Sequence, residues 1–488
     1  MRIAAVVKQV PTFAEMALDA DGRLIRAGLP LELNPYCRRA VSQAVELAGA
    51  AGAGASVTVV TLGPPSAEDA LREAIAWALE RGVDADGLLV TDPAFAGSDT
   101  LATARALAAA LRRSGPFDLI LTGRNSVDAD TGQVPPELAE LLDLPFLTGV
   151  RTLHLEGRTV RARCEHDDGW VDAELDLPGV LSCAERLISP CKVDPAGRAA
   201  VPAERILWLT AADLGPGPWG QAGSPTSVGA VRVHEVSREG IVLHGPLDDQ
   251  VRTAVDVLVR RGALAARPEG AGGGLAETVP RPGNAAGPAV GVVLEADRPH
   301  VAQELLSAGA ELAAAIDGHV VALAEAGEAD ARRLGAWGAD EVVMLVGSPA
   351  PAEDVARAVV EWAEQASPWA MLAPSTAWGR EVAGRAAARL GAGLTGDAVD
   401  LDVEDGRLVA WKPAFGGQVV AAITASSPIQ MATVRPGMLR RREPRPDGAV
   451  TTRLEVSPGN GYGSWPRPGT TTPTPWPKRR WSSGSGAA

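Results

Sequence analysis

The chain has 488 residues, 46% of them hydrophobic, with a formal net charge of −14. That length calls for two or three cores rather than one, and the acidic balance speaks against nucleic acid or an anionic membrane surface as the main partner. No apolar run reaches the length of a membrane span, Met1 to Lys8 reads as a first strand rather than a leader, and the four cysteines (Cys37, Cys164, Cys183, Cys191) lack zinc or iron–sulfur spacing; a cytoplasmic protein with reduced thiols is expected.

In chain order, Ile3 to Val7, Val57 to Leu62, Gly87 to Val90 and Leu119 to Leu121 are short apolar runs without polar alternation, as strands buried in a parallel sheet require. Between them Ser66-Ala-Glu-Asp69 reads as a capping-box variant, followed by Leu71, Ile75, Ala78 and Leu79 on one helical face and a stop at Gly82. Strand, helix, strand in this order predicts a doubly wound α/β sheet. Residues 265 to 287, rich in Gly, Pro and Ala, read as a flexible linker. The strand pattern then restarts at Val290 to Leu294, Val320 to Leu323, Val342 to Leu345 and Ala370 to Ala373.

The halves correspond. Arg81-Gly-Val-Asp84 matches Trp337-Gly-Ala-Asp340, each before an apolar strand, and Leu119 to Arg124 matches Met371 to Arg380, each before a helix. A hairpin-like pair follows in both, Arg151 to Arg163 and Asp400 to Lys412. One fold used twice is expected, packed about a pseudo-twofold by analogy with isologous dimers. Residues 1–264 form the first unit and 288–445 the second, with 446–488 a disordered tail of Pro, Thr, Ser, Gly, Trp and Arg.

The stretch that points to chemistry is Gly123, Arg124, Asn125, Ser126, Val127, Asp128, Ala129, Asp130, Thr131, Gly132, Gln133, Val134, after a strand and before a helix over Pro136 to Leu142. Small and hydroxyl residues let backbone N–H groups approach a phosphate, and a helix N-terminus favours its charge. The plainer alternative is a polar loop in which Asp130 or Thr131 caps the helix. Asn34, Pro35, Tyr36 and Cys37 precede another helix and are candidates for a facing wall, or for an ordinary Asn-Pro turn. Glu165-His-Asp-Asp168 carries metal-ligating residue types but is most simply a hairpin turn. No nucleophile elbow or Walker-type loop is present, and the six histidines (His154, His166, His234, His244, His300, His319) have no recognisable Ser or Cys partner, so hydrolase or transferase chemistry has no sequence support.

Val7-Lys-Gln-Val-Pro11, Asn34-Pro-Tyr36, Gly63-Pro64, Asp128 to Val134, Leu177-Pro178 and Ala222 to Thr226 resemble, in order, the beta subunit of electron-transfer flavoproteins (ETF). Gly379-Arg380, Ala386 to Asp397, Pro413 to Gly417 and Gln430 to Gly437 resemble the N-terminal domain of the ETF alpha subunit. The resemblance implies a beta–alpha fusion that acts as an electron carrier rather than a catalyst, taking electrons from a flavoprotein dehydrogenase and passing them to a downstream acceptor. It implies AMP, or a second FAD in bifurcating members, held by Val6, Asn34 to Cys37, Leu62 and Gly123 to Val134, with Phe13 beside the flavin ring.

The sequence departs from that pattern twice. Glu185 to Asp194 lacks the lysine cluster of the family's partner-recognition segment, which puts the usual dehydrogenases in question. The Gly-rich, Ser-Arg and Gln-His motifs of the family's C-terminal FAD domain do not occur, so that domain is expected to be missing or supplied in trans. Read in a frame displaced near residues 457 to 459, the tail gives an acidic helix, a strand and a glycine turn, the way that domain begins; resequencing the locus tests this. A nucleotide-binding scaffold without redox function, or an inactive truncated form, is the alternative reading.

Overall fold

The computed structural model describes residues 1–12, 29–233, 240–262, 277–281, 283–326, 330–347, 351–417 and 419–456. Phe13, His234, most of the expected linker and the tail from residue 457 lie outside the described residues.

The first half runs β1 (Arg2–Val7), β2 (Gln9–Pro11), β3 (Leu31–Leu33), α1 (Pro35–Ala51), β4 (Ser56–Leu62), α2 (Glu68–Leu79), β5 (Asp84–Val90), α3 (Thr100–Ser114), β6 (Leu119–Gly123) and α4 (Val134–Leu142). It continues through β7 (Phe146–Glu156), β8 (Thr159–His166), β9 (Gly169–Asp176), β10 (Gly179–Cys183), α5 (Pro195–Ala199), β11 (Ile206–Leu209), α6 (Ala211–Leu214), β12 (Thr226–Val233) and α7 (Leu247–Arg260). The second half begins β13 (Ala289–Val293), α8 (Pro299–Ala315), β14 (His319–Glu325), α9 (Ala331–Trp337), β15 (Glu341–Val346), α10 (Ala352–Ala366), β16 (Ala370–Pro374) and α11 (Ala377–Leu390). It closes with β17 (Gly393–Ala398), β18 (Asp400–Glu404), β19 (Arg407–Ala414), β20 (Val419–Ala425), β21 (Gln430–Val434) and β22 (Val450–Glu455).

The expected repetition is present strand by strand. The first sheet is ordered β11-β5-β4-β1-β6-β10-β7, extended by β8 and β9, and the second β22-β15-β14-β13-β16-β21-β17. The strands expected from unalternating apolar runs are parallel and central, as two-sided burial demands. Apolar side chains on both faces of each sheet are covered by helices: Ile3, Ala5 and Val57 pack with Val41, Leu71 and Ile75 on one face, and Ala4, Val6 and Val60 pack with Leu107 and Leu111 on the other.

Three expectations need correction. Ser66 caps no helix: Pro65–Ala67 form a 3-10 turn, and α2 starts at Glu68 without a side-chain cap, because the prolines at 64 and 65 set the turn before Ser66 reaches a capping position. The second unit does not end at 445, since Val450–Glu455 pairs in parallel with β15 along its whole length. The linker does not reach 287, because Val279 is buried and its N–H donates to Glu443 O at 3.0 Å.

The halves also share a sheet. β12, the last strand of the first half, pairs antiparallel with β20 of the second and completes the four-stranded order β12-β20-β19-β18. Asp99 anchors the crossing strand: it caps α3 through Ala102 N–H at 2.9 Å and accepts from Thr226 N–H and Oγ1 at 3.0 and 2.8 Å. Across the remaining interface α4 packs on α11, where the buried Arg385 meets Glu140 at 3.1 Å and Glu381 at 3.4 Å.

Candidate nucleotide site

In the first half the chain winds from β1 outward to β4 and β5, then returns to lay β6 on the other side of β1. That reversal opens a crevice at the carboxyl ends of β1 and β6, where open α/β sheets take ligands. Val6 lies beside Thr122 of β6, and Leu62 ends the neighbouring strand; Leu62 and Val134 both pack on the cluster that contains Val6. These side chains make an apolar floor.

The two polar segments singled out from sequence meet over this floor. Asn34 is buried, yet it does not cap α1. Its Nδ2 instead donates to Asn125 O at 2.8 Å, and its Oδ1 accepts from Val127 N–H at 3.2 Å. One side-chain amide thus pairs with the loop as another backbone strand would. Pro35 at the first helical position starts α1. Tyr36 and Cys37 close against Gly123, where an added Cβ would lie 2.9 Å from Cys37 N and from Tyr36 Cβ, so only glycine permits the approach. Burial first, and then the Glu185 carboxylate, pushes the Tyr36 phenol up to about 12, and burial pushes the Cys37 thiol up; both are neutral.

Within the loop Asn125 Nδ2 donates to Asp130 Oδ1 at 2.5 Å, and Asp130 N–H donates to Ser126 O at 2.9 Å. Asp130 and Gly132 take left-handed backbone conformations, φ 47° and 63°. Asp128 receives Lys8 Nζ at 2.8 Å, and Lys8 also reaches Ser126 Oγ at 3.4 Å. Burial works to raise the Asp128 carboxyl, but the Lys8 ammonium outweighs it and holds the group below the usual carboxylate range.

Two details differ from the sequence reading. Neither Asp130 nor Thr131 caps α4; the helix starts at Val134 behind Gln133, which makes no capping bond. Pro135 and Pro136 then remove two of the first N–H groups. The helix end is therefore a poor phosphate cradle, and within the loop the N–H groups of Val127, Ala129 and Asp130 are already bonded to Asn34 Oδ1, Asp128 Oδ1 and Ser126 O.

Sequence reasoning missed the residues behind the loop. Lys412 Nζ donates to Ala129 O at 2.6 Å and Arg380 Nη1 to Asp130 O at 3.4 Å, while Gln133, singled out from the sequence, turns to this wall and donates through Nε2 to Leu394 O at 3.2 Å. Asp397 sits at the centre of this wall, accepting from Arg380 at 3.2 Å and from Arg435 and Ser375. Burial pushes Asp397 up, but Arg435, Arg380 and Lys412 together bring it below the usual range. A polar cleft lined by Arg124, Asn125, Gly132, Asp167, Ser375 and Arg380 runs between the halves. Gly379-Arg380 and Asp397 stood within the motifs of the second half, but nothing in their spacing tied them to a loop some 250 residues earlier.

The corresponding crevice of the second half, between β13 and β16, is crossed by side chains. Thr376 Oγ1 donates to Glu295 Oε2 at 2.7 Å, Arg298 meets Glu295 at 3.0 Å and Asp168 at 2.5 Å, and Ala377 N–H donates to Asp167 Oδ2 at 2.7 Å. The Glu165 to Asp168 turn thus spends two carboxylates on the second half. Among the described residues no group of three or more His, Cys, Asp or Glu is placed to hold a metal, and no helix is long and apolar enough to cross a membrane.

The "Electron transfer flavoprotein domain" profile matches residues 21–206 and 290–458. The electron transfer flavoprotein subunit beta of Clostridium acetobutylicum is 34% identical over 261 residues, 53% of this chain and 98% of that protein. Its counterpart from Thermoanaerobacterium thermosaccharolyticum is 36% identical over 54% of this chain and 99% of its own length, and protein FixA of Azorhizobium caulinodans is 36% identical over 47% and 83%. A profile that matches both halves, over a fold repeated strand for strand, means that the chain belongs to the electron transfer flavoprotein domain family.

Proposed function

We propose that the first half binds an adenine nucleotide, AMP, in the crevice of β1 and β6, and that the chain works in electron transfer between a flavoprotein dehydrogenase and a downstream acceptor. The convergence of Asn34 and the 123–134 loop over an apolar floor carries this reading. Val6, Leu62 and Cys37 suit a purine face, and the loop N–H of Thr131 suits a phosphate. Lys8, Lys412, Arg380 and Arg435 stand around the loop against Asp128, Asp130 and Asp397, a surplus of cations that favours an anion. The second half, its crevice crossed by Glu295, Thr376 and Arg298, is assigned no nucleotide.

A bound flavin supplies the electron chemistry of this family; the protein's part is orientation and tuning. Relatives named as the acryloyl-CoA reductase electron transfer subunit gamma and as a caffeyl-CoA reductase-Etf complex subunit point to acyl-CoA-type flavoenzymes as the partner class. The segment from Glu185 to Asp194, which lacks a lysine cluster, is itself held, Arg38 donating to Cys191 O at 3.0 Å, and the short helix after it is tied down by Arg198, which pairs with Asp69 and Glu73 at 2.8 and 3.1 Å. A partner therefore meets a fixed surface rather than a mobile basic arm.

The test is the cofactor content of the purified full chain. About one equivalent of AMP released on denaturation is expected, reduced by Gly123→Val, which drives a side chain into Tyr36 and Cys37. A flavin absorbance band that bleaches with a flavoprotein dehydrogenase and its substrate supports electron transfer by this chain. A colourless protein that releases only AMP supports a non-redox scaffold, and one that releases neither overturns the reading.

A further inference from the structure

We infer that the second half is a working part of the first half's nucleotide site: Lys412 and Arg380 position the phosphate-facing loop by holding the carbonyls of Ala129 and Asp130. The inference rests on the nucleotide reading of that crevice.

In a planar trans peptide the C=O and N–H point in opposite directions. A cation that fixes the carbonyl therefore fixes the amide on the far side. Lys412 draws Ala129 O towards the second half, so the N–H of Asp130 faces the loop interior, where it closes on Ser126 O at 2.9 Å. Arg380 draws Asp130 O the same way and turns the N–H of Thr131 away from the second half. Left-handed backbone at Asp130 and Gly132 flanks Thr131, and because the N–H groups of Val127, Ala129 and Asp130 are taken by Asn34 Oδ1, Asp128 Oδ1 and Ser126 O, the Thr131 N–H is the amide that this pair of cations presents to an anion. Gly132 is needed here, because a Cβ would sit 2.8 Å from Asn125 Oδ1 and 3.5 Å from Arg380 Nη1. A Cβ at Gly396 would meet Gln133 Nε2 at 2.8 Å and displace that side chain from Leu394 O.

Lys412 is buried in β19. The charged groups facing it are Asp397 of β17, Asp130 of the loop, Arg380 of α11 and Arg435 after β21. Burial dominates and pulls its ammonium down to about 8, against the two carboxylates. A phosphate on the far side of the loop favours the charged form, and the charged form favours the phosphate.

The experiment titrates 5′-AMP into the full-length chain freed of nucleotide, for wild type, Lys412→Met and Lys412→Arg, and follows amide exchange of residues 126–134 without nucleotide. Near neutral pH, Lys412→Met is expected to weaken AMP by about tenfold or more and to speed exchange in the loop but not in β1 or β6. Lys412→Arg is expected to bind within about threefold of wild type. Towards about pH 9.5 the wild type loses affinity as Lys412 deprotonates, while Lys412→Arg does not. Equal AMP binding by wild type and Lys412→Met, with unchanged exchange, overturns the inference and leaves the nucleotide site standing. If Lys412→Met does not fold, a shared pH profile for wild type and Lys412→Arg overturns it. A wild type that binds no AMP overturns the nucleotide reading and this inference with it.

Discussion

Glu137 shows what a single buried carboxyl does to the interface. It is fully buried in the first turn of α4, and burial, reinforced by Asp99, pushes it up to about 8. Thr100 Oγ1 lies 2.9 Å from Gln133 Oε1 and 3.0 Å from Glu137 Oε1. One hydroxyl proton serves one acceptor, so a protonated Glu137 donating through Oε1 to Thr100, which donates in turn to Gln133, accounts for both contacts, while Glu137 Oε2 stays buried without a partner. The folded pKa lies above that of the unfolded chain, near 4.5, so the unfolded state ionises first as pH rises. Stability is therefore undiminished below about pH 4.5 and is lost progressively up to about pH 8. Glu137→Gln is expected to be more stable than wild type by about 2–4 kcal/mol near pH 8 and unchanged near pH 4.5, read by urea unfolding at both. Little of this was legible in the sequence. Asn34 and the 123–134 loop stood out because their residue types are unusual after strands, whereas Glu137 looks like any acid at a helix start, and its chemistry comes wholly from what folds over it.

At the scale of elements, strands and helices were readable wherever one physical rule dominated. Unalternating apolar runs gave the central strands, and both hairpins followed from their turns. β22 was not readable, because Val-Thr-Thr-Arg-Leu-Glu is mostly exposed and is made a strand only by pairing with β15. β12 was not read as a strand either, and its place in the other half's sheet rests on a partner nearly 200 residues later, about which local pattern says nothing. The α4–α11 contact was also silent, though it is the charged centre of the interface. Arg385 is 2% exposed and is shared by Glu140, Glu381 and, at 3.4 Å, Glu353, while Arg389 also pairs with Glu140. Removing the cation leaves the buried Glu381 without its counter-charge, while Glu140 keeps Arg389 and Glu353 keeps Arg357. Arg385→Met is expected to cost about 3–5 kcal/mol, with Glu381, already raised to about 7 by burial, moving further up. Chemical denaturation followed by tryptophan fluorescence reads the loss; a change below about 1 kcal/mol would show that the acids find other partners.

At the scale of the whole molecule, the order of seven strands in each half repeats without exception, the regularity that the paired motifs of the sequence predict. What the repeat concealed is its asymmetry: at one crevice Asn34 pairs with the 123–134 loop, while its counterpart is crossed by Glu295, Thr376 and Arg298. The covalent connection is not what holds the halves together, because β12, the α4–α11 charges and the wall behind the nucleotide loop all do so. A protease site inserted between residues 265 and 276 and then cut is expected to give two fragments that co-elute on size exclusion at micromolar concentration; separation at moderate salt would mean that the connection is essential. The crossing strand has a further consequence, in time rather than space. β12 is complete at Val233, but its partner ends at Ala425, so at ~5–20 residues per second the ribosome needs roughly 10–40 s to make the missing neighbour. Throughout that interval the newborn first half carries a strand edge with no β20 to cover it. Making both halves as one polypeptide keeps the wait short and guarantees that every such edge is followed by its own partner, in equal number and tethered to it.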